Sequence, residues 1–293
     1  MNWDDVRIFL AVARAGQILG AARRLGLNHA TVSRRVAALE ESLKARLFRR
    51  LTTGSELTPA GERFLVVAER MEADMIAARA EIAGEGDALT GTVRIGAPDG
   101  FGVAFLAPRL GALAALHPEL SLQLVPVPRS FSLSRREADI VITVDRPTEG
   151  RLVAGKLVDY TLQLYASRTY AETNGLPETP AELSLHRLVG YVPDLAISPS
   201  LDYVDEIASE WPANFSVSSS LGQVEAVRSG AGIGILHTFI ARSMPELIRL
   251  EIGKPIRRAY WIVYHESVRP LRRVQAVADF VGRLVEQERS IFA

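Results

Sequence analysis

The fold is decided by a stretch near the start of the chain, residues 18–43, which reads ILGAARRLGLNHATVSRRVAALEESL. Its first part predicts a short helix whose apolar positions are Leu19, Ala21, Ala22 and Leu25. The two small alanines allow another helix to approach closely, and Gly26-Leu27 predicts a tight turn. A short helix followed by such a turn is the first half of a helix-turn-helix.

The second part of this stretch predicts a longer helix, from about His29 to Leu43, with Asn28 as its N-cap. Its buried stripe consists of Val32, Val36, Leu39 and Leu43. The polar residues left at or near its exposed beginning are Asn28, His29, Thr31, Ser33, Arg34 and Arg35. A recognition helix presents polar N-terminal residues to base edges and phosphates in the same way. We therefore predict that these residues contact double-stranded DNA.

The flanking residues predict one more helix and a wing. The upstream helix ends at Gly16, where a positive φ is wanted, and its apolar positions are Val6, Phe9, Leu10 and Ala13. Downstream, Leu47 and Phe48 anchor a short β-hairpin with its tip at residues 51–55. Arg49 and Arg50 stand on this wing, from which an arginine can enter the minor groove. A plain surface charge is the other interpretation of either arginine.

Charge is neutral overall but unevenly distributed, with 34 Lys and Arg against 34 Asp and Glu. Residues 1–50 hold ten basic and four acidic side chains, a net charge of +6, whereas residues 54–90 hold three and eight, a net charge of −5. Local positive charge favours binding to a phosphate backbone, because it releases counterions. A solvated basic face is the alternative when charge is taken alone.

Length and composition exclude several classes of protein. A chain of 293 residues is too long for one ordinary core and predicts two or three domains. The absence of cysteine excludes disulfide scaffolds, thiolate zinc sites and cysteine nucleophiles. We also expect no apolar segment as long as a membrane span. Near the start of the chain, where a signal peptide would be basic, the sequence has the acidic Asp4 and Asp5. These features favour a cytoplasmic protein with no membrane partner.

A long helix is predicted after the wing, with Thr58 as its cap and Pro59 at its first position. A heptad seam runs along it through Phe64, Ala68, Met71, Met75, Ala78 and Ile82. Such a stripe needs a partner, and the same helix of a second subunit would pair two helix-turn-helix modules on one duplex. Packing onto the downstream domain is the alternative. Residues 84–87, Gly-Glu-Gly-Asp, predict a hinge.

From Thr92 onward the pattern changes to alternating strands and helices. Strands are predicted near residues 93–96, 120–127, 140–144, 162–166, 188–192, 215–217, 233–236 and 259–264, and helices near 103–116, 221–228 and 271–288. Strand, helix, strand indicates a parallel sheet of the α/β class. Two α/β lobes joined by crossing strands follow from this order.

The N-terminal motifs resemble those of the LysR-type transcriptional regulator family. The matching elements, in order, are residues 9–13 (FLAVA), 21–25 (AARRL), Ser33-Arg34, Leu39-Glu40, 47–50 (LFRR) and 57–61 (LTPAG). Lys44 departs from the family, which commonly has Gly there. The resemblance implies a winged helix-turn-helix (all-α with a β wing), a long linker helix and a periplasmic-binding-protein-like, two-lobed α/β effector domain. It also implies a tetramer of paired dimers, whereas the heptad seam supports only a homodimer.

The corresponding domains are residues 1–58 for DNA binding, 59–83 for the dimerisation helix, 84–91 for the hinge and 92–293 for the effector domain. Lobe I covers about 92–160 and 265–293, and lobe II covers about 161–264. Ligands of such folds bind at strand C-termini and helix N-termini. The predicted effector residues are Pro98, Asp99, Gly100, Phe101, Arg129, Ser130, Asp145, Ser219, Leu221, His237 and Thr238.

The charges at these positions conflict. Asp99 favours a cationic or hydroxyl-rich ligand, although it could instead cap the helix that follows it. Arg129 and His237 favour an effector that carries a carboxylate. The charge pattern therefore leaves the effector unnamed.

No signature of a cofactor, a metal site or an enzyme is found in the sequence. The glycine-rich residues 230–234 follow a helix and precede a strand, the reverse of a dinucleotide loop. The five histidines lie far apart, without the spacing of metal ligands. The sequence predicts a DNA-binding transcriptional regulator that responds to a small-molecule effector. The alternative is a soluble small-molecule binding protein or enzyme whose N-terminal helices serve only for assembly.

Overall fold

The structure, a computed structural model, describes residues 2–51, 54–82, 89–126, 137–148, 150–195, 198, 203–207, 211 and 213–293. These residues divide into two compact units. The first contains the described residues up to Ile82 together with Glu137 and residues 265–272. The second contains the described residues within 89–126, 138–264 and 273–293.

Three helices begin the first unit: α1 (Trp3–Ala15), α2 (Ile18–Leu25) and α3 (His29–Leu43). A capping box closes the start of α1, because the Asn2 side chain accepts the amide of Asp5 at 2.9 Å and the Asp5 carboxylate accepts the amide of Asn2 at 3.1 Å. Gly16 and Gly26 both adopt a left-handed φ of 65° and end α1 and α2. The predicted helix-turn-helix is confirmed.

The three helices pack through the apolar positions that the spacing predicts. Val32 and Val36 of α3 belong to one buried cluster with Ile8, Ala11, Val12, Ala21 and Ala22. Leu39 belongs to a second buried cluster with Val6, Phe9, Leu10, Leu47 and Ala68. Full burial of one such large aliphatic side chain contributes about 1.5–3 kcal/mol. The stripe therefore determines which face of α3 is turned outward.

The wing is an antiparallel hairpin of β1 (Phe48–Leu51) and β2 (Gly54–Leu57) in which Phe48 faces Leu57. The buried Glu40 of α3 anchors its base by accepting the amides of Leu47 at 2.7 Å and Phe48 at 3.1 Å and Arg46 Nη1 at 2.8 Å. Burial acts to raise the pKa of Glu40, but these donors together lower it below its usual value. The carboxylate therefore ties the wing to α3.

The next helix, α4 (Pro59–Ile82), contradicts the first half of the predicted heptad seam. Phe64 packs edge-on against Phe9, with ring centroids 4.9 Å apart, and Ala68 and Met71 join the same core cluster. The large apolar side chains that the described part of α4 exposes are Val66, Val67 and Met75. The apolar stripe is present, but over this half of α4 it packs against α1 of the same chain. Neither a second subunit nor the downstream domain is needed to bury this half of the stripe.

The second unit is built on a sheet whose described strands number nine. These are β3 (Gly91–Ala97), β4 (Leu120–Pro126), β5 (Ile140–Thr143), β6 (Leu152–Ser167), β7 (Leu188–Gly190), β8 (Ala213–Ser216), β9 (Ile233–His237), β10 (Leu247–Arg249) and β11 (Ile256–His265). In lobe I, β3 is parallel to β4 and β5, and in lobe II, β7 is parallel to β8 and β9. The long strands β6 and β11 lie between the two groups and join the lobes.

The helices of the second unit are α5 (Asp99–Phe101), α6 (Ala107–Leu116), α7 (Arg168–Asn174), α8 (Ser220–Arg228), α9 (Thr238–Ala241) and α10 (Arg272–Gln287). Short 3-10 turns lie at Pro180–Leu185, Pro193–Leu195, Val204–Glu206, Glu266–Val268 and Arg289–Phe292. A π-helical turn, Gly102–Leu106, joins α5 to α6, so the helix predicted from residue 103 begins at Asp99. It therefore starts directly after Pro98, at the edge where β3 ends.

This continuous helix corrects the expectation that no segment has the length of a membrane span. By length and composition alone, Asp99–Leu116 is long and apolar enough to cross a bilayer. Its apolar side chains nevertheless pack into lobe I, where the buried ones are Phe101, Phe105, Leu106, Leu110 and Leu113. A core helix of a globular domain passes the same test, because it too is apolar on its buried side.

Candidate nucleic-acid interface and inter-lobe cleft

The beginning of α3 is capped and exposed. The Asn28 side chain accepts the amide of Thr31 at 2.7 Å, and the Asn28 carbonyl accepts the amide of Val32 at 3.2 Å. The amides of His29 and Ala30 bond to no other group that the structure describes, and both residues are exposed. Free amides at a helix N-terminus are suited to a phosphate oxygen.

Three of the predicted side chains are exposed on this surface: Asn28, His29 and Arg34. His29 and Arg34 form no hydrogen bond or ion pair within the described residues. Thr31 is half-buried one turn above the N-cap. A donor-rich guanidinium and an imidazole without internal partners are groups that can pair with base edges.

The other two predicted residues of α3 are turned elsewhere. The Ser33 hydroxyl oxygen is buried without a hydrogen-bond partner among the described residues, in a recess that Val12 and Phe48 also line. The structure contradicts its predicted contact with DNA, because α3 turns this position toward the wing. Arg35 forms ion pairs with Asp5 at 2.8 Å and Asp4 at 3.3 Å. Its charge therefore ties α3 to α1, and its predicted contact with DNA stays a prediction.

On the wing, Arg49 faces Glu56 across the hairpin, and its Nε donates to Glu56 Oε2 at 2.7 Å. Both side chains are exposed. An exposed ion pair contributes about 0–1 kcal/mol, so the guanidinium can exchange this partner for a phosphate at little cost. The side chain of Arg50 lies outside the described residues, although its backbone lies in β1.

In the second unit, Asp99 connects the two lobes. It is the first residue of α5 in lobe I, and its Oδ2 accepts Ser219 Oγ at 2.6 Å and the amide of Leu221 at 3.2 Å, both at the start of α8 in lobe II. Ser219 in turn caps α8 by accepting the amide of Gly222 at 3.0 Å. Neither of the two roles predicted for Asp99 describes this contact, because the carboxylate caps a helix of the opposite lobe.

His237, at the end of β9, lies in the same cleft. Its ring stacks on Tyr160 of β6 at a centroid distance of 5.2 Å, and Tyr160 stacks on Tyr260 of β11 at 4.1 Å. Desolvation lowers the pKa of His237 to about 4, despite the opposing effect of Asp99. His237 is therefore neutral at pH 7 and does not supply the positive charge that the sequence analysis assigned to it.

The remaining predicted effector residues occupy different surroundings. Pro98 and Gly100 flank Asp99, and the buried Phe101 ring packs against Tyr260, Phe105 and Phe292. A contact between Phe101 and an effector stays a prediction. Thr238 is buried at the first position of α9. Asp145 accepts a hydrogen bond from Ser198, a second contact between a lobe I carboxylate and a serine. Arg129 and Ser130 lie outside the described residues.

A cavity of about 180 Å³ opens in lobe II, between β7, β9 and the start of α8. Its walls include Tyr191, Tyr203, Trp211 and Gln223, none of which the sequence analysis selected. Burial raises the pKa of both tyrosines, and Asp99 raises each of them further. Tyr160 and Tyr260 are also absent from the predicted effector residues. Tyr260 lies in the strand predicted at 259–264, whereas Tyr160 precedes the strand predicted at 162–166.

The described residues contain no group of three or more His, Asp or Glu side chains that could hold a metal ion. The described groups of the cleft include the carboxylates of Asp99 and Asp145, a neutral imidazole and aromatic rings. These groups can bind and orient a small molecule through hydrogen bonds and apolar contact.

Two family models match the chain. The model described as bacterial regulatory helix-turn-helix protein, lysR family, matches residues 3–62, and the LysR substrate binding domain matches residues 86–285. A HTH-type transcriptional regulator of Xanthomonas campestris pv. campestris is 34% identical over 184 residues, which cover 63% of this chain and 54% of that protein. The uncharacterized regulator YhjC of Escherichia coli is 30% identical, and the match covers 78% of each chain.

Solved structures show the same fold. The full-length regulator LysG of Corynebacterium glutamicum, solved with its bound effector Arg, has a TM-score of 0.66 and 20% identity, and the match covers 98% of this chain and 99% of that one. With regard to length, the chain spans only 54% and 64% of two curated relatives, from Xanthomonas campestris and Haemophilus influenzae.

Proposed function

The chain belongs to the lysR family of bacterial regulatory helix-turn-helix proteins, and from that premise we propose that it is a DNA-binding transcriptional regulator that responds to a small-molecule effector. The observation that carries the proposal is the capped, exposed start of α3, where Asn28, His29 and Arg34 stand beside free backbone amides. Such a surface matches the donor and acceptor pattern of a major groove.

The first unit contacts double-stranded DNA through two elements. The start of α3 enters the major groove, with Asn28, His29 and Arg34 at base edges and Thr31 at its margin. The wing carries Arg49 and Arg50 to the adjacent minor groove, where Arg49 exchanges Glu56 for the backbone. The net charge of +6 over residues 1–50 supports the electrostatic part of this binding.

The protein acts as a homodimer through α4. The exposed Val67 and Met75 lie two turns apart on one side of α4 and offer an apolar face that water disfavours. A second copy of the same helix is a symmetric way to cover it. Two such dimers form the homotetramer that the family resemblance implies. We further propose that the protein is cytoplasmic and not an enzyme, which the names of its relatives as transcriptional regulators support.

The effector binds between the lobes of the second unit, near Asp99, Ser219 and His237. These residues come from both lobes, so a ligand that contacts them stabilises one lobe arrangement over another. DNA affinity then changes only by the difference in effector affinity between the two arrangements.

The test is an equilibrium binding measurement with the protein's own upstream DNA and an unrelated duplex. Arg34→Ala should weaken binding to the upstream DNA about ten- to hundredfold and leave the unrelated duplex much less affected. Arg7→Ala is the matched control, because Arg7 is an exposed arginine of α1 that pairs with Asp4. Equal binding of both duplexes by the wild type, or no effect of Arg34→Ala, would contradict the proposal. A module used only for assembly would bind neither duplex.

A further inference from the structure

We propose that Asp99 is a built-in carboxylate ligand of the inter-lobe cleft, which excludes acidic effectors and reserves the cleft for uncharged or cationic ones. This inference rests on the proposed role of the cleft as the effector site and names the chemical class of its ligand. It is carried by the junction between α5 and α8, where a carboxylate of one lobe lies on the helix N-terminus of the other.

Three of the first four backbone donors of α8, those of Leu221, Gly222 and Gln223, already have acceptors. The amide of Leu221 donates to Asp99, the amide of Gly222 donates to Ser219 Oγ at 3.0 Å, and the amide of Gln223 donates to the Ser219 carbonyl at 2.9 Å. A helix N-terminus with free amides attracts anionic ligands. At α8 that role is taken by Asp99, which also receives the Ser219 hydroxyl.

The two helices also approach closely at Gly100, next to Asp99. A Cβ added at Gly100 would lie 3.2 Å from Ser220 Cβ and 3.4 Å from Ile240 Cδ1. Side-chain atoms of lobe II therefore fill the space next to Gly100, the residue that follows Asp99. An acidic ligand could reach the Leu221 amide only by displacing Asp99.

A second observation at this site points to a ligand. His237 is only 6% exposed, and its ring nitrogens hydrogen-bond to none of the residues that the structure describes. The imidazole lies against the rings of Tyr160 and Phe239, at centroid distances of 5.2 Å and 5.6 Å, and Asp99 is near enough to act on its pKa. A buried polar ring without a partner can bond to a polar group of a ligand.

The neutral state of His237 also opposes an acidic ligand. A second carboxylate beside Asp99 would be repelled, and a neutral imidazole offers no charge to compensate. The adjacent aromatic rings of Tyr160, Tyr203 and Tyr260 are buried and uncharged. The charge of Arg258 also acts on the pKa of Tyr160 and Tyr203, but its guanidinium already pairs with Glu206. These surroundings therefore disfavour an added anion and accept an uncharged or cationic group.

Asp99, Ser219 and His237 do not line the lobe II cavity beside Tyr191 and Tyr203, but Asp99 is near enough to raise the pKa of both tyrosines. The volume of this cavity, about 180 Å³, exceeds the roughly 150 Å³ of an engineered apolar cavity that holds benzene in another protein. A ring-sized apolar body can therefore occupy it. Benzoate joins such a body to a carboxylate, which makes it a suitable probe of whether acids are excluded.

The experiment measures the thermal midpoint of the full chain with and without benzoate, for the wild type and three variants. Asp99→Ser removes the carboxylate and exposes the Leu221 amide, so benzoate at ten times its Kd should raise Tm by about 3 °C, whereas the wild type should not respond. Asp99→Asn keeps a side chain of the same shape in place and should respond less than Asp99→Ser. The double variant Asp99→Ser/Ser219→Ala should lose the gained response, because Ser219 supplies a donor.

Two results would overturn the inference. One is a folded Asp99→Ser variant that benzoate does not stabilise. The other is saturable binding of benzoate to the wild type, measured by calorimetry, if the Ser219→Ala substitution abolishes that binding. The calorimetric measurement remains decisive if Asp99→Ser does not fold. Sequence-specific DNA binding by the wild type is measured separately. Either result would therefore contradict the inference on Asp99 without contradicting the proposed regulator function.

Discussion

The starts of α3 and α8 are built alike and used differently. Asn28 accepts the amide of Thr31 at 2.7 Å, and Ser219 accepts the amide of Gly222 at 3.0 Å, so each helix has a polar N-cap that bonds three residues ahead. At α3 the neighbouring amides and side chains are exposed. At α8 a carboxylate from the opposite lobe covers the amide of Leu221.

This difference teaches that a cap alone does not make an anion site. The positive end of a helix attracts an anion only when its remaining donors are unsatisfied. The start of α3 meets that condition and is suited to phosphates supplied by another molecule. The start of α8 has its anion supplied from within the chain.

The largest expected effect concerns the inter-lobe cleft, where His237 is buried. In the folded protein the pKa of His237 is about 4, below the value of about 6.5 that a histidine has when unfolded. The neutral ring therefore contributes stability that is present above pH 6.5 and lost as the pH falls to 4, in total about 3 kcal/mol. His237→Phe keeps an aromatic ring beside Tyr160 and should remove this loss.

Urea unfolding of the wild type and of His237→Phe at pH 7 and pH 4 measures this loss of stability. The stability difference between the two proteins should change by about 3 kcal/mol over this range in favour of the variant. Parallel pH profiles would mean that the imidazole is not desolvated, and the cleft would then be as open as the start of α3.

The next effect compares the two caps directly. Ser219→Ala removes the N-cap of α8 and also the hydroxyl that donates to Asp99 at 2.6 Å. Loss of the cap costs about 1 kcal/mol, and loss of a hydrogen bond to a charged group costs about 1.5–3 kcal/mol. Because one hydroxyl makes both contacts, the two costs overlap, and equilibrium unfolding should show a loss of about 2–3 kcal/mol. A loss no larger than that of an exposed cap would contradict the closed junction.

Asn28→Ala supplies the exposed reference. Its expected cost is about 1 kcal/mol, because water replaces part of the lost hydrogen bond. Asn28→Asp should keep the stability, since the carboxylate also accepts the Thr31 amide, yet it should weaken DNA binding by placing a negative charge at the interface. Unfolding curves and DNA titrations on the same preparations separate the two effects. Unchanged DNA affinity in Asn28→Asp would place the interface elsewhere.

The smallest effect lies at the other end of α3. Lys44 has a φ of 50°, the one positive φ among the described non-glycine residues, and it ends the helix in the left-handed conformation. A glycine adopts this conformation without steric cost, so Lys44→Gly should stabilise the first unit by about 0.5–1 kcal/mol in urea unfolding. A destabilised variant would show that the lysine side chain contributes more than its strain removes.

Much of the fold followed from residues that act locally. Gly16, Gly26 and Asn28 predicted the ends of three helices, and the helical spacing of Val32, Val36 and Leu39 predicted the buried face of α3. Strands β3, β4, β5 and β9 followed from short apolar runs, close to their observed bounds. Capping and periodicity depend on neighbours within a few residues, which the sequence displays.

The failures share one cause. The stripe through Phe64 and Ala68 was read as a dimer seam, but α1 covers it, and Ser33 was read as exposed, but the wing borders it. Periodicity shows that a helix face is apolar, but it does not show which element will cover that face.

The amino-acid sequence by itself determined the winged helix-turn-helix, the α/β class of the second half and the polar start of α3, because short-range capping and spacing specify each of them. Only the tertiary structure decided that Asp99 bonds to Ser219 and that His237 is neutral. The first depends on a contact across 120 residues of chain, and the second depends on burial by strands from both lobes. Neither contact order nor desolvation can be read from local sequence, since both arise when distant segments pack.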